Sequence, residues 1–173
     1  MPLIIDGYNA VFAYRGINPE SALETVEESR VDFVEALKRY QLLSREKITV
    51  VFDGSREHLP WPVSCNRGNL KILFSGPDEN ADVLIMELVT DSHGKRRLKV
   101  VSSDRQIKNH AMRLGAQTQG TRLFVEKMVR RLERGEKERA AREPREKFQG
   151  LAADQIEYWK QLLGFGKDKE EQE

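Results

Sequence analysis

The sequence predicts an α/β sandwich built on a parallel sheet, and two features carry that prediction. Short apolar, β-branched runs alternate four or five times with longer stretches whose apolar residues recur at close to 3.6 positions. Runs such as Ile48-Thr49-Val50-Val51-Phe52 are apolar on both faces, which suits strands covered by helices on each side. Right-handed crossovers then join the strands into one sheet. At 173 residues the chain is long enough for one compact domain with a proper core and a helical tail.

Leu3-Ile4-Ile5 reads as the first strand and ends at Asp6-Gly7-Tyr8-Asn9. A helix is predicted over Ser21 to Ser44, with Val26, Phe33, Val34, Leu37, Tyr40 and Leu42 near one stripe and start chemistry at Asn18-Pro19-Glu20-Ser21. Ile48 to Phe52 is the second strand and stops at Asp53-Gly54. The stretch from Ser55 to Gly68 reads as a loop because Pro60-Trp61-Pro62 bars regular structure. Leu70 to Phe74 is the third strand, followed by a helix capped by Asn80 or Asp78 and carrying Val83, Leu84, Met86, Leu88 and Val89. Leu98 to Val101 is the fourth strand and ends in Ser102-Ser103-Asp104. A helix follows over Arg105 to Leu114, with Gly115 as its stop, and Ala116 to Gln119 reads as a short edge strand. The long helix Thr121 to Arg142 carries Phe124, Val125, Met128, Val129 and Leu132 on one stripe. Pro144 and Gly150 break the chain, and Leu151 to Leu163 reads as a last helix before a charged, disordered end. The division is therefore a domain over 1–142 and a helical tail over 143–173.

Composition narrows the class. Hydrophobic residues make up 39% and charged residues 33%, the balance of a soluble globular chain with a charged surface. The apolar runs are strand-sized and too short to span a bilayer. Met1 to Asp6 has no basic n-region, so the expected location is the cytoplasm, with no membrane partner. A single cysteine, Cys65, excludes an internal disulfide, and His58, His93 and His110 lack metal-ligand spacing, which disfavours zinc. Net charge is only +1, so any nucleic-acid binding must come from local patches.

Asp6, Asp53 and Asp104 each follow a predicted strand, and Asp82 falls in the first turn of the helix after the third. Ligands of open α/β sheets bind beyond the carboxyl ends of the strands, where these four meet. Clustered carboxylates repel, so gathering them makes sense when a cation neutralises them. An all-oxygen site of this kind suits Mg²⁺ or Mn²⁺. Each aspartate alone reads equally well as a turn former or helix cap, Asp53 before Gly54 most of all, with Asp104 a natural cap for its helix. Asn9 is placed to hold Asp6 or a metal-bound water, although Gly7-Tyr8-Asn9 reads equally as a plain turn. Ser103 is placed to donate to a phosphate or a carboxylate, or to cap a helix.

Leu3-Ile4-Ile5-Asp6-Gly7-Tyr8-Asn9, Val50-Val51-Phe52-Asp53-Gly54, Glu79-Asn80-Ala81-Asp82 and Val100-Val101-Ser102-Ser103-Asp104 occur in this order. Together they resemble the YacP-like group of the NYN branch of PIN-like nucleases, over roughly residues 3 to 142. That group is similar to a bacterial ribosome-associated endoribonuclease that cleaves messenger RNA in the ribosomal A site. The resemblance implies a PIN-like three-layer sandwich around a central, mostly parallel sheet of four to five strands, with a C-terminal helical extension. It implies an endoribonuclease using Mg²⁺ or Mn²⁺, with Asp6, Asp82 and Asp104 as metal ligands and Asp53 in support. Many PIN-like nucleases carry a further acid two residues beyond the position of Asp104; here it is Gln106. Val83 stands where some relatives carry another acid, so one metal is the expectation.

For RNA, single-stranded or messenger, Arg105 and Lys108 after Asp104 are the candidate phosphate contacts. Arg56 and Trp61 lie in the loop expected to rim the same edge, Trp61 as a base-stacking platform or as a hydrophobic plug. Lys95-Arg96-Arg97 precedes the fourth strand and so belongs at the amino edge, where a solvated basic turn is the expectation. Arg130, Arg131, Arg134, Arg139, Arg142 and Arg145 bias the long helix toward cationic charge, much of it compatible with i,i+4 pairing to Glu. Ribosome docking follows from the resemblance alone. Three alternatives remain beside the nuclease. A phosphatase of the haloacid-dehalogenase kind would need an acid where Tyr8 stands, and a Rossmann domain would need a glycine-rich loop after the first strand. A non-catalytic RNA- or ribosome-binding module with the same fold is the strongest of the three.

Overall fold

The computed structural model describes residues 1–17, 25–54, 69–76 and 80–142. In chain order they form β1 (Leu3–Asp6), α1 (Gly7–Ile17), α2 (Val26–Ser44), β2 (Ile48–Phe52), β3 (Leu70–Phe74), α3 (Ala81–Asp91), β4 (Lys99–Val101), α4 (Arg105–Arg113), β5 (Gln117–Gln119) and α5 (Thr121–Arg142). The five strands make one sheet in the order β3-β2-β1-β4-β5, parallel throughout. The short edge strand is β5. Contacts divide the chain into Met1–Glu136 and Lys137–Glu173, and of the second unit only the end of α5 falls among the described residues.

Strand alternation builds two cores from one sheet. Leu3 and Ile5 of β1, Val50 and Phe52 of β2 and Val101 of β4 face α1, α2 and α5, where Val11, Phe33, Leu37, Val125 and Met128 are fully buried. Ile4, Val51 and Val100 face the other way, onto Ile85 and Val89 of α3 and Ile107 and Ala111 of α4. The three central strands β1, β2 and β4 therefore bury residues on both faces, as their apolar runs require. Ile5 and Val101 have no exposed surface, and losing such a side chain to alanine costs about 2–4 kcal/mol.

Three local expectations are corrected. The region after Asp6 is a helix, α1, and not a turn. Asp6 caps it by accepting the Asn9 backbone N–H at 3.3 Å, so the strand passes into the helix without a linker. Gly7 makes that passage possible, since a Cβ there would stand 2.6 Å from the Val51 carbonyl oxygen and 2.4 Å from the Phe52 ring. Next, the described part of the second helix begins at Val26 and not Ser21, because Thr25 and Glu28 form a capping box. Residues 18–24, with the expected start at Asn18 to Ser21, lie outside the described residues. Finally, Leu42 is 74% exposed, and Gln41 takes the buried position of its turn. The predicted helix over Leu151 to Leu163 also lies outside the described residues.

Candidate active site

The strand order places the site. From β1 the chain adds β2 and β3 on one side and then β4 and β5 on the other, so the topological switch point lies between β1 and β4, where open α/β sheets bind ligands. Asp6 ends β1 there and is only 7% exposed. Its Oδ2 accepts from the Ser102 hydroxyl at 2.8 Å and from the Asn9 side-chain amide, while Oδ1 takes the Asn9 backbone N–H. A buried carboxylate with three donors is fixed in position by them.

Ser102 ties the two sides of the switch point together, since its Oγ also accepts the Asp104 backbone N–H at 2.9 Å. Asp104 caps α4 through Oδ1, which accepts from Gln106 N at 2.6 Å and Ile107 N at 3.0 Å. Asp53, just past β2, accepts from the Ser75 hydroxyl at 2.9 Å and from Ala81 N at 3.3 Å, and so joins the ends of β2 and β3 to the start of α3. Asn80 caps α3 by accepting from Asp82 N at 2.9 Å. The Asp82 carboxylate itself accepts no hydrogen bond among the described residues.

Burial pushes the Asp82 carboxyl above its usual pKa, and the negative charges of Asp6, Asp104 and Asp53 push it further. All three other aspartates therefore lie within electrostatic reach of it. Asp6, Asp53 and Asp82 line one cleft of about 270 Å³ with Tyr8, Asn9, Phe12, Val51, Asn80 and Ala81. α1, α3 and α4 all start at this edge, and their N-terminal partial charges offset part of the repulsion.

The YacP-like NYN domain family matches residues 3–163. The chain belongs to that family. It is of the ribonuclease type, and its reach past residue 142 takes in more of the chain than the motifs span. No curated protein matches significantly. Among solved structures, a single-substitution mutant of Rae1 (YacP) from Bacillus subtilis is 23% identical with a TM-score of 0.60, over 83% of this chain and 86% of that one. Rae1 (YacP) without that substitution is 23% identical with a TM-score of 0.58, over 95% of this chain and 91% of that one. At such identity these two show the fold, a PIN-like α/β sandwich.

This NYN domain brings Asp6, Asp53, Asp82 and Asp104 to one edge; Asp6 and Asp104 also cap helices, as local sequence suggested, whereas Asp53 bridges to Ser75 and Ala81, distant in sequence. Asn9 holds Asp6 by two hydrogen bonds. Ser103 pairs with the Thr121 hydroxyl at the start of α5, and the neighbouring Ser102 is the serine that reaches a carboxylate. Arg105 and Lys108 sit in the first turn of α4, directly after Asp104. Arg56 and Trp61 lie outside the described residues, as does Arg145. Arg131 of α5 donates to the Leu43 carbonyl.

Four contributors are absent from the sequence reading. Ser102 had no legible signal, since it stands opposite Asp6 only once the register that pairs Ile5 with Val101 is known. Ser75 and Arg30 had none either; Arg30 is buried in α2 and donates to the Tyr8 hydroxyl at 3.0 Å, steadying one wall of the cleft. Phe12 is 55% exposed on that cleft, its ring 6.4 Å from that of Tyr8. Apolar periodicity cannot find a residue whose role is to stay uncovered.

The donors at this edge are carboxylate and amide oxygens, the set preferred by Mg²⁺ and Mn²⁺. Among the described residues no group of three carboxylate, imidazole or thiolate side chains forms a ready-made metal cage. The uncommitted Asp82 carboxylate and the mutual repulsion at this edge nevertheless fit a divalent cation, which would relieve both.

Proposed function

We propose that the protein is a metal-dependent endoribonuclease that hydrolyses phosphodiester bonds in unpaired RNA, messenger RNA on the ribosome among its substrates. The observation that carries this reading is the gathering of four aspartates from separate elements at the carboxyl edge of the sheet, where burial and then the charges of the other three raise the pKa of Asp82. Asp6, Asp82 and Asp104 would hold Mg²⁺ or Mn²⁺, with Asp53 supporting the start of α3. The ion would supply Lewis-acid stabilisation of phosphate charge and a means of activating water.

The chain's own residues do the rest. Ser102 and Asn9 keep Asp6 aimed. Asn80 and Asp53 set the first turn of α3 and so the place of Asp82. Arg105 and Lys108 supply cations beside Asp104 for the flanking phosphates. Phe12, uncovered beside the acids, offers a face for an unpaired base, a contact worth about 1–3 kcal/mol.

The test is cleavage of structured and unstructured RNA by the purified full chain with Mg²⁺, with Mn²⁺ and with EDTA. Cleavage that needs the cation and falls about a hundredfold or more in Asp6→Asn is expected. Equal activity in that variant would sink the proposal. RNA binding without turnover in the parent chain would favour the non-catalytic module.

A further inference from the structure

The amino edge of the sheet carries an open groove of about 1140 Å³, lined by Met1, Pro2, Arg45, Lys47, residues 92–98 and Leu114. Two segments distant in sequence meet in it. Arg45 and Lys47 follow α2 and lead into β2, and Lys95, Arg96 and Arg97 form a single 3₁₀ turn leading into β4. Because β1 alone separates β2 from β4, the two entry points stand about 10 Å apart, two inter-strand spacings.

Five cationic side chains line this groove, and no aspartate or glutamate does. None of the five makes an ion pair with a described residue. Glu46, between two of them, accepts from the Tyr40 hydroxyl at 3.3 Å and pairs at 3.8 Å with the Met1 amino group at the groove's edge, leaving the five side chains themselves unpaired by it. Arg45, Lys47, Arg96 and Arg97 are exposed. The ends of α2 and α3 face this edge, and cations near helix C-termini are favourable at about 0.3–1 kcal/mol each. That accounts for one or two charges, not for five around a common space.

We propose that this groove is a second RNA-contact surface, which takes a run of backbone phosphates at the end of the molecule away from the aspartates. The space is larger than a small-anion pocket and open, as a polymer requires. Its charges sit on long side chains without ion-pair partners, the arrangement that holds phosphates without reading sequence. No phenylalanine, tyrosine or tryptophan lines it, so neither base stacking nor membrane insertion competes with charge as the source of affinity. The choice of RNA rests on the nuclease reading of the opposite edge; the groove itself does not.

The experiment measures binding of a labelled single-stranded RNA to the full chain in EDTA by fluorescence anisotropy across a salt series. Poly-glutamate and anionic phosphatidylserine vesicles serve as rival probes. Arg96→Glu with Arg97→Glu is expected to weaken RNA binding about tenfold or more and to shallow the slope of log K against log salt by about 1.4. Arg96→Gln with Arg97→Gln should fall between that variant and the parent, with an unchanged melting temperature in both. Parent-like affinity and slope in the Glu variant overturn the proposal, as does tighter binding of poly-glutamate or vesicles than of RNA. Loss of cleavage with this binding intact would count against the nuclease reading alone. Cleavage of a short oligonucleotide with parent-like binding in the variant would count against the groove alone.

Discussion

At the carboxyl edge of the sheet four aspartates crowd the switch point, whereas at the amino edge five cations line a groove without an acid. Both signs complement the helix ends they face, so the macrodipoles permit each cluster without explaining its size. The two differ in how their charges are held. Asp6, Asp53 and Asp104 accept hydrogen bonds at 2.6–3.3 Å from serine hydroxyls and helix-start amides. The cations at the other edge hang on flexible stems with no ion-pair partner among the described residues. Fixed charges suit chemistry at one atom, and loose ones suit attraction spread along a polymer.

Breaking the fixed edge should have the largest consequence. Ser102→Ala removes the one hydroxyl that donates to Asp6 and accepts the Asp104 backbone N–H. RNA cleavage is expected to fall about 10- to 100-fold, as for lost partners of metal ligands, while the melting temperature drops only slightly. A cleavage rate within twofold of the parent would show that Asp6 is aimed by the strand and not by its hydrogen bonds.

Gly7→Ala tests the backbone under the same edge. The added methyl meets the Val51 carbonyl and the Phe52 ring, and overpacking of that kind costs about 1–3 kcal/mol, readable in urea denaturation. Phe12→Ala asks whether the acidic cleft also grips the base. The expectation is a KM about five- to tenfold higher for unpaired RNA, with kcat retained and Phe12→Trp restoring affinity. An unchanged KM would leave Phe12 without a role in substrate binding.

The smallest effect concerns the burial of Asp82 and its repulsion by the other aspartates. The folded state raises the Asp82 pKa, so folded Asp82 binds its proton more tightly than unfolded Asp82 does. Ionised Asp82 therefore costs stability; the cost is fully present above the folded pKa and fades as pH falls through it. Asp82→Asn should raise the melting temperature in EDTA at neutral pH by about 1–2 °C, and the gain should shrink on acidification. Added Mg²⁺ should stabilise the parent chain and not this variant. Scanning fluorimetry resolves both; a variant less stable than the parent at neutral pH would contradict the shift.

The strands and the aspartates that end them were legible locally, because a strand buried on both faces must be continuously apolar and its exit polar. Asp6, Asp53 and Asp104 were found that way, and Asp82 by its place in a first turn. α1 was missed because its cap is itself a strand residue, so no separate start signal stands before it. Leu42 was misplaced because a single apolar residue fits a 3.6-residue stripe by chance.

By itself, then, the sequence determined the parallel α/β architecture, the order of its elements and the edge to which the acids belong. Those depend on side-chain periodicity and on what may follow a strand, both properties of neighbours along the chain. Tertiary structure decided that Ser102 grips Asp6, that Asp82 feels three other carboxylates, and that residues 45–47 meet 95–97 around one groove. Each of these joins segments whose approach is set by strand order and register, β1 lying between β2 and β4, and no local pattern encodes that order.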